Sequence, residues 1–195
     1  MKIKRMLAAL FLVCIALPKR PLSAGECMQD ARHPVYIKMQ YAGNMGLVSV
    51  GAGKTVFNKR TTADINYGYL PESINGVEVH TFALRPAVHF KGFTAANVNT
   101  GYYLGAALTY SRTNNTYLQY PSYYPRDYYM PNAVHINPML GILMKKSLSH
   151  DIPQKQLAFF AEIGTVDVKL IDALANRAIN AAMVWSLSFG MALIL

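Results

Sequence analysis

The sequence predicts an all-β chain, an eight-stranded antiparallel up-and-down transmembrane β-barrel. Its apolar residues recur with period two, its less bulky face is nearly free of charge, and 52% of its 195 residues are hydrophobic against 15% charged. Successive side chains of a strand point to opposite faces, so period two marks a sheet with unlike sides. From Ala182 to Leu195 one face carries Met183, Trp185, Leu187, Phe189, Met191, Leu193 and Leu195. The other carries Ala182, Val184, Ser186, Ser188, Gly190, Ala192 and Ile194. Val98 to Tyr110 sets Val98, Tyr102, Leu104, Ala106, Leu108 and Tyr110 against Asn99, Gly101, Tyr103, Gly105, Ala107 and Thr109. Thr61 to Tyr69 sets Ile65, Tyr67 and Tyr69 against Thr62, Asp64, Asn66 and Gly68. A soluble sandwich also alternates, but its outer face should be rich in Lys, Glu and Arg. Here the second face is Gly, Ala, Ser, Thr and Asn, which suits the crowded lumen of a narrow barrel whose greasy face meets lipid. Thirteen Tyr and one Trp can furnish the interfacial girdles. A soluble periplasmic β-sandwich that binds a ligand is the alternative architecture.

The N-terminus reads as an address. Lys2, Lys4 and Arg5 precede an apolar run from Met6 to Leu17, and Leu22-Ser23-Ala24 closes the segment. That is the order of a secretory signal, predicted over residues 1–24 with cleavage after Ala24, and residues 25–195 form the barrel domain. A run of about twelve residues is too short to span a bilayer as a helix, which needs about twenty. Glu26 precedes Cys27, where a lipoprotein signal wants a small residue. Once Cys14 leaves with the signal, Cys27 has no intrachain partner, so no disulfide framework exists. Net charge is +9, but five of the 19 Lys and Arg lie in the first twenty residues, and the fourteen that remain face 10 acids, a balance of +4. They are scattered, so no nucleic-acid partner is expected.

Strands are predicted at 35–42, 45–57, 61–70, 77–90, 98–111, 134–145, 156–168 and 181–195. Pro86 cannot donate to a ladder and predicts a bulge. With both termini at the periplasmic rim, 58–60, 91–97 and 146–155 turn there, while 43–44, 71–76, 112–133 and 169–180 lie outside. No mature segment is long and apolar enough for a spanning helix.

The end of the chain, Ser188-Phe189-Gly190-Met191-Ala192-Leu193-Ile194-Leu195, resembles the C-terminal assembly signal of bacterial outer-membrane β-barrels, with Leu195 where an aromatic is usual. Tyr41-Ala42-Gly43-Asn44-Met45-Gly46, Tyr67-Gly68-Tyr69-Leu70-Pro71-Glu72-Ser73 and the stretch Tyr120 to Tyr129 are similar to a group of small outer-membrane barrels of Bacteroidetes-type bacteria. The resemblance covers nearly the whole mature chain. It implies a fold, an outer-membrane location and recognition of Ser188–Leu195 by barrel assembly machinery, and it brings no activity and no catalytic residues.

Several groups invite chemistry. Gly51-Ala52-Gly53-Lys54-Thr55 ends like a phosphate loop, but Val48 stands where the first glycine belongs and no helix follows. His80, His89, His135, Glu78, Arg85, Asp64, Asn66, Glu162 and Asp167 fall in predicted strands, where a titratable side chain must face the lumen or sit near a rim. Glu78 and His80 share a face with Phe82, and His135 shares one with Asn137, so two imidazoles and several carboxylates could meet inside. A structural network of paired charges is the plain reading of such a group. The alternative is a lipid-modifying enzyme, deacylase- or acyltransferase-like, in which His80, His135 and Glu162 would be the catalytic set. The histidines lack a metal-binding spacing, and neither metal nor cofactor is expected. The stretch 112–133 is long for a connection, and its Tyr120, Tyr123, Tyr124, Arg126, Tyr128 and Tyr129 could grip a sugar or a partner. Together these point to a monomeric outer-membrane barrel with a structural or surface-binding role, no wide pore, and outer-membrane lipid or lipopolysaccharide as its neighbour.

Overall fold

The structure is a computed structural model and describes residues 20–21, 34–56, 60–95, 98–113, 133–148, 155–175 and 184–195. Eight strands make the barrel: β1 (Val35–Ala42), β2 (Val48–Val56), β3 (Thr61–Leu70), β4 (Val79–Ala95), β5 (Val98–Arg112), β6 (Val134–Ser147), β7 (Gln156–Gly164) and β8 (Ser186–Ile194). Each pairs antiparallel with the next, and β8 pairs back onto β1, with Met39 opposite Met191. Closure leaves no sheet edge, which is what a sheet inside hydrocarbon requires, because lipid offers backbone groups no partner. This single closed sheet replaces the two-sheet sandwich alternative. Arg20–Pro21 adds a short antiparallel pairing against Phe93–Thr94 at the end of β4.

The alternation read from the sequence is the alternation of the wall. Ile37, Met39, Ile65, Leu84, Leu104, Leu108, Leu140, Phe189 and Met191 face outward and are exposed. Gln40, Asp64, Asn66, Arg85, Asn137, Glu162 and Ser188 face inward and are buried. The interior is therefore polar and the exterior apolar, the inversion that defines a membrane-spanning barrel. Gly51 to Thr55 lie within β2, as ordinary strand.

Connections differ between the two ends. The end bearing the start of β1 and the finish of β8, here the terminal rim, has the short connections 57–60, 96–97 and 148–155. The loop rim has 43–47, 71–78, 113–133 and 165–185. Among the described residues, two short helices lie on the loop rim, α1 (Glu72–Asn75) and α2 (Asp167–Ala175).

Several predicted boundaries move. β4 runs to Ala95 rather than ending at 90, because the hairpin with β5 continues past a register shift between Phe90 and Phe93. Gly92 permits that shift, since a Cβ there would overlap the Thr100 carbonyl. The bulge expected at Pro86 is absent: Leu84 pairs with Leu108 and Ala87 with Gly105, in unchanged register. β7 stops at Gly164 because Asp167 starts a helix, and β8 begins at Ser186 rather than 181. β2 begins at Val48, after a tight turn in which Gly43 and Gly46 take positive φ and the Ala42 N–H donates to the Leu47 carbonyl at 2.8 Å.

Three inward rings each lie over a glycine directly across the ladder: Tyr36 over Gly53, Tyr103 over Gly141 and Phe160 over Gly190. The missing side chain is what lets a large ring fit a narrow lumen. Replacing Gly141 by Val drives a side chain into the Tyr103 ring. It should lower unfolding stability in lipid vesicles by about 1–3 kcal/mol, the usual cost of overpacking, read as a reduced urea midpoint; an unchanged midpoint contradicts this packing.

Candidate functional site

The chemistry of the interior is a belt of charge at mid-lumen. Parity along β1, β3, β4 and β7 turns Lys38, Asp64, Arg85 and Glu162 inward, and Arg85 is only 1% exposed. The Arg85 guanidinium donates through Nη1 to Gln40 Oε1 at 2.9 Å, and through Nη2 to Met139 Sδ at 2.7 Å and to the Glu162 carboxylate. The Tyr103 hydroxyl donates to Glu162 Oε1 at 2.7 Å. Across the lumen, Lys38 Nζ lies 2.7 Å from Asp64 Oδ1, while the Tyr36 hydroxyl donates to Asp64 Oδ2 at 2.9 Å and Asn66 donates to Oδ1. Arg85 Nε is 3.9 Å from Asp64, so the two pairs form one network. Isolated charges in such a place would be prohibitive, whereas paired and hydrogen-bonded ones persist.

The belt also closes the lumen. A cavity of about 60 Å³ lies on its terminal-rim side, lined among others by His89, Leu143, Lys145 and Phe160. A second, of about 30 Å³, lies on its loop-rim side, lined among others by Gln40, Asn137 and Ser188. Arg85, Met139 and Glu162 border both.

The three residues expected as a catalytic set do not meet. His80 shares the parity of Phe82, which faces outward, so the expectation that its imidazole joins the lumen is corrected: it stands on the outside of the wall near the loop rim. There Nδ1 is 2.7 Å from the Tyr67 hydroxyl and Nε2 is 3.6 Å from Glu78 Oε1, which accepts from the Tyr69 hydroxyl at 2.9 Å. His135 faces the lumen side of the loop rim, with Nδ1 3.0 Å from Asp167 Oδ1. Asp167 ties α2 to β6, accepting from the backbone N–H of Ile136 at 3.1 Å and of Val168 at 2.8 Å. Partial burial pushes its carboxyl upward, but these two N–H groups and the His135 imidazole outweigh it and hold the group below the ordinary carboxylate value. Glu162 sits in the belt.

Two His–carboxylate pairs therefore stand near the loop rim, as an ester-cleaving base would require. Among the described residues no Ser or Thr hydroxyl bonds either imidazole. A threonine hydroxyl does meet a third imidazole, Thr62 Oγ1 with His89 Nε2 at 3.1 Å, buried toward the terminal rim. No three metal-ligating side chains come together among the described residues. The tyrosines Tyr120, Tyr123, Tyr124, Tyr128 and Tyr129, with Arg126, lie outside the described residues, as do Cys27 and nearly all of the predicted signal.

Sequence reasoning overlooked Lys38, Gln40, Tyr36 and Tyr103. Lys38 was open to discovery, because a lysine between the outward Ile37 and Met39 must face the lumen. Parity places the aromatic pair as well, Tyr36 on the face of Lys38 and Tyr103 on that of Gly101 and Gly105; their bonds to Asp64 and Glu162 left no local signal.

The closed sheet with apolar exterior and charged interior belongs to the class of small eight-stranded transmembrane β-barrels of outer-membrane type. Solved structures of similar architecture include Neisserial surface protein A, at 10% identity and a TM-score of 0.47 over 85% of this chain and 97% of that one. The outer membrane enzyme PagL follows at 11% identity and 0.44, over 83% and 98%. A major outer membrane protein from Thermus thermophilus stands at 9% identity and 0.39, over 85% and 100%. At such identities no residue role crosses from any of them. No protein-family model matches the chain, and no curated protein matches it significantly.

Arg85→Met alone strands the Glu162 carboxylate and should cost about 3–5 kcal/mol of stability in vesicles, while Arg85→Met with Glu162→Leu should recover most of it. Additive losses in this double-mutant cycle contradict a coupled belt.

Proposed function

We propose that the protein is a monomeric outer-membrane barrel with a structural and surface-binding role, whose immediate partner is envelope lipid and which offers no through-pore. The observation that carries this reading is the Arg85–Glu162 and Lys38–Asp64 belt, which crosses mid-lumen between cavities of about 60 and 30 Å³. Longer connections on one rim than on the other fit an extracellular loop rim and a periplasmic terminal rim. The signal-like N-terminus and the Ser188–Leu195 ending support delivery to the outer membrane and recognition there by assembly machinery. The sequence similarities at Tyr41–Gly46 and Tyr67–Ser73 favour membership of the Bacteroidetes-type group of small barrels. On the extracellular side, the stretch containing Tyr120, Tyr123, Tyr124, Arg126, Tyr128 and Tyr129 is the proposed contact surface, because tyrosines give large contact area at low entropic cost.

Reconstituted into planar bilayers, the folded protein should show no discrete conductance steps. Regular stepwise currents from the purified barrel would overturn the closed-lumen reading.

A further inference from the structure

The outer wall is basic where it approaches the terminal rim. Lys54 on β2 and Lys146 on β6 share the outward parity of Val50 and Leu140 and are exposed, as is Lys155 just ahead of β7. Lys146 is opposite Leu157, and the Leu148 N–H donates to the Lys155 carbonyl at 3.1 Å, so Lys146 and Lys155 are diagonal neighbours on one face of a hairpin. None of the three lysines makes an ion pair among the described residues. Every described carboxylate side chain lies in the belt or at the loop rim: Asp64 and Glu162 in the first, Glu72, Glu78, Asp167 and Asp172 at the second. A charge facing lipid is costly at the midplane and tolerated near the interface, where a lysine stem carries its ammonium to the headgroups.

Beside these cations the outer wall is hollow. Ile37, Met39, Val50, Leu157, Met191 and Leu193 line a space of about 500 Å³ that crosses β7, β8, β1 and β2. One ladder row leads from the lysines into it: Lys146 is opposite Leu157, Leu157 opposite Leu193, Leu193 opposite Ile37, and Ile37 opposite Ala52, two residues from Lys54. We propose that this part of the wall seats an anionic glycerophospholipid whose headgroup bears no amine, phosphatidylglycerol in chemical class, drawn from the periplasmic leaflet. Its phosphate accepts from the Lys146 and Lys155 ammonium groups, relieving the repulsion between two neighbouring like charges. An acyl chain fills the hollow, and Lys54 adds a positive field at the far side. Two lysines against one phosphate leave the site positive. The ammonium of a zwitterionic headgroup would add to that charge where no described carboxylate stands to receive it, and a glycerol headgroup adds nothing, which supplies the discrimination. Glycerophospholipid is also what the periplasmic leaflet of an outer membrane offers at this rim.

The inference rests on the reading above of a barrel with a periplasmic terminal rim, and its test separates the two. The full mature protein, released from micelles containing equal phosphatidylglycerol and phosphatidylethanolamine, is examined by native mass spectrometry. The expected result is preferential retention of phosphatidylglycerol. It should fall about fivefold in Lys146→Gln and in Lys155→Gln, the worth of one cation at an anionic lipid surface. It should persist when Arg112→Gln and Lys169→Gln together remove more charge at the loop rim. Equal retention of the two lipids, a preference for phosphatidylethanolamine, or an equal loss in the loop-rim variant overturns the site. Gel mobility before and after boiling reports folding of each protein. Loss of the heat-dependent shift in the unsubstituted chain overturns the barrel reading and the site with it, whereas a heat-shifting protein with no lipid preference overturns the site alone. In intact cells, Lys146→Cys in a Cys27→Ser background should resist an impermeant maleimide; labelling there overturns the orientation and the lipid source with it.

Discussion

The barrel depends on opposite charges finding each other across a narrow interior. Arg85 on β4 reaches Glu162 on β7 and Gln40 on β1, and Asp64 on β3 holds Lys38 on β1. The partners come from strands that are not neighbours in the sheet, so the network spans the lumen rather than reinforcing one hairpin. Each charge is tolerable only because the others are in place, and each can be in place only if the sheet closes with the observed register. One-residue slippage of any strand would turn its charge into lipid and its greasy side chains into the belt. Polar satisfaction inside and apolar burial outside therefore impose the same register from opposite sides of the wall.

The same constraint explains the composition of the inner face. A wall this tightly curved has no room for large inward side chains at every position, and the chain meets the limit by pairing large with absent. Tyr36, Tyr103 and Phe160 fill the lumen because Gly53, Gly141 and Gly190 stand directly across from them. Two of these rings also serve the belt, since the Tyr36 and Tyr103 hydroxyls bind Asp64 and Glu162. Packing and electrostatics share residues, which is why the lumen is filled rather than open and why function is sought at the surfaces.

Much of the fold was legible because lipid and lumen impose opposite demands on alternate residues. β1 and β3 were read with their observed bounds, and the small-residue face of β5 and β8 pointed to the inside of a barrel rather than to solvent. What failed was local. The extension of β4 past Phe90 turns on a register shift at Gly92, and the helix that cuts β7 short turns on hydrogen bonds to Asp167 from Ile136 and Val168. Neither leaves a periodic trace. Pro86 was expected to break the register and does not, because the pairing with β5 resumes in step at Ala87. Of the candidate residues, Glu162 and His135 had the side of the wall expected of them, and His80 did not. His80 was grouped with inward residues on the assumption that a titratable group avoids the outer face, yet its row lies high enough on the wall for headgroups rather than acyl chains to meet it. Parity alone, counted from Phe82, would have placed it outside. The pairing of Arg85 with Glu162 could not be read, because nothing local to either strand tells which strand faces it across the lumen.

The central claim is that one face of each strand meets lipid while the other encloses a packed, charged core. Nitroxide labels placed singly on β5, in a Cys27→Ser background in vesicles, test it most directly by their collision rates with oxygen and with a water-soluble nickel chelate. Labels at positions 104, 106 and 108 should collide freely with oxygen and hardly at all with the chelate, while labels at 107 and 109 should be shielded from both. Chelate collisions at 104 or 108 as frequent as in water, or no alternation along the strand, would contradict the account.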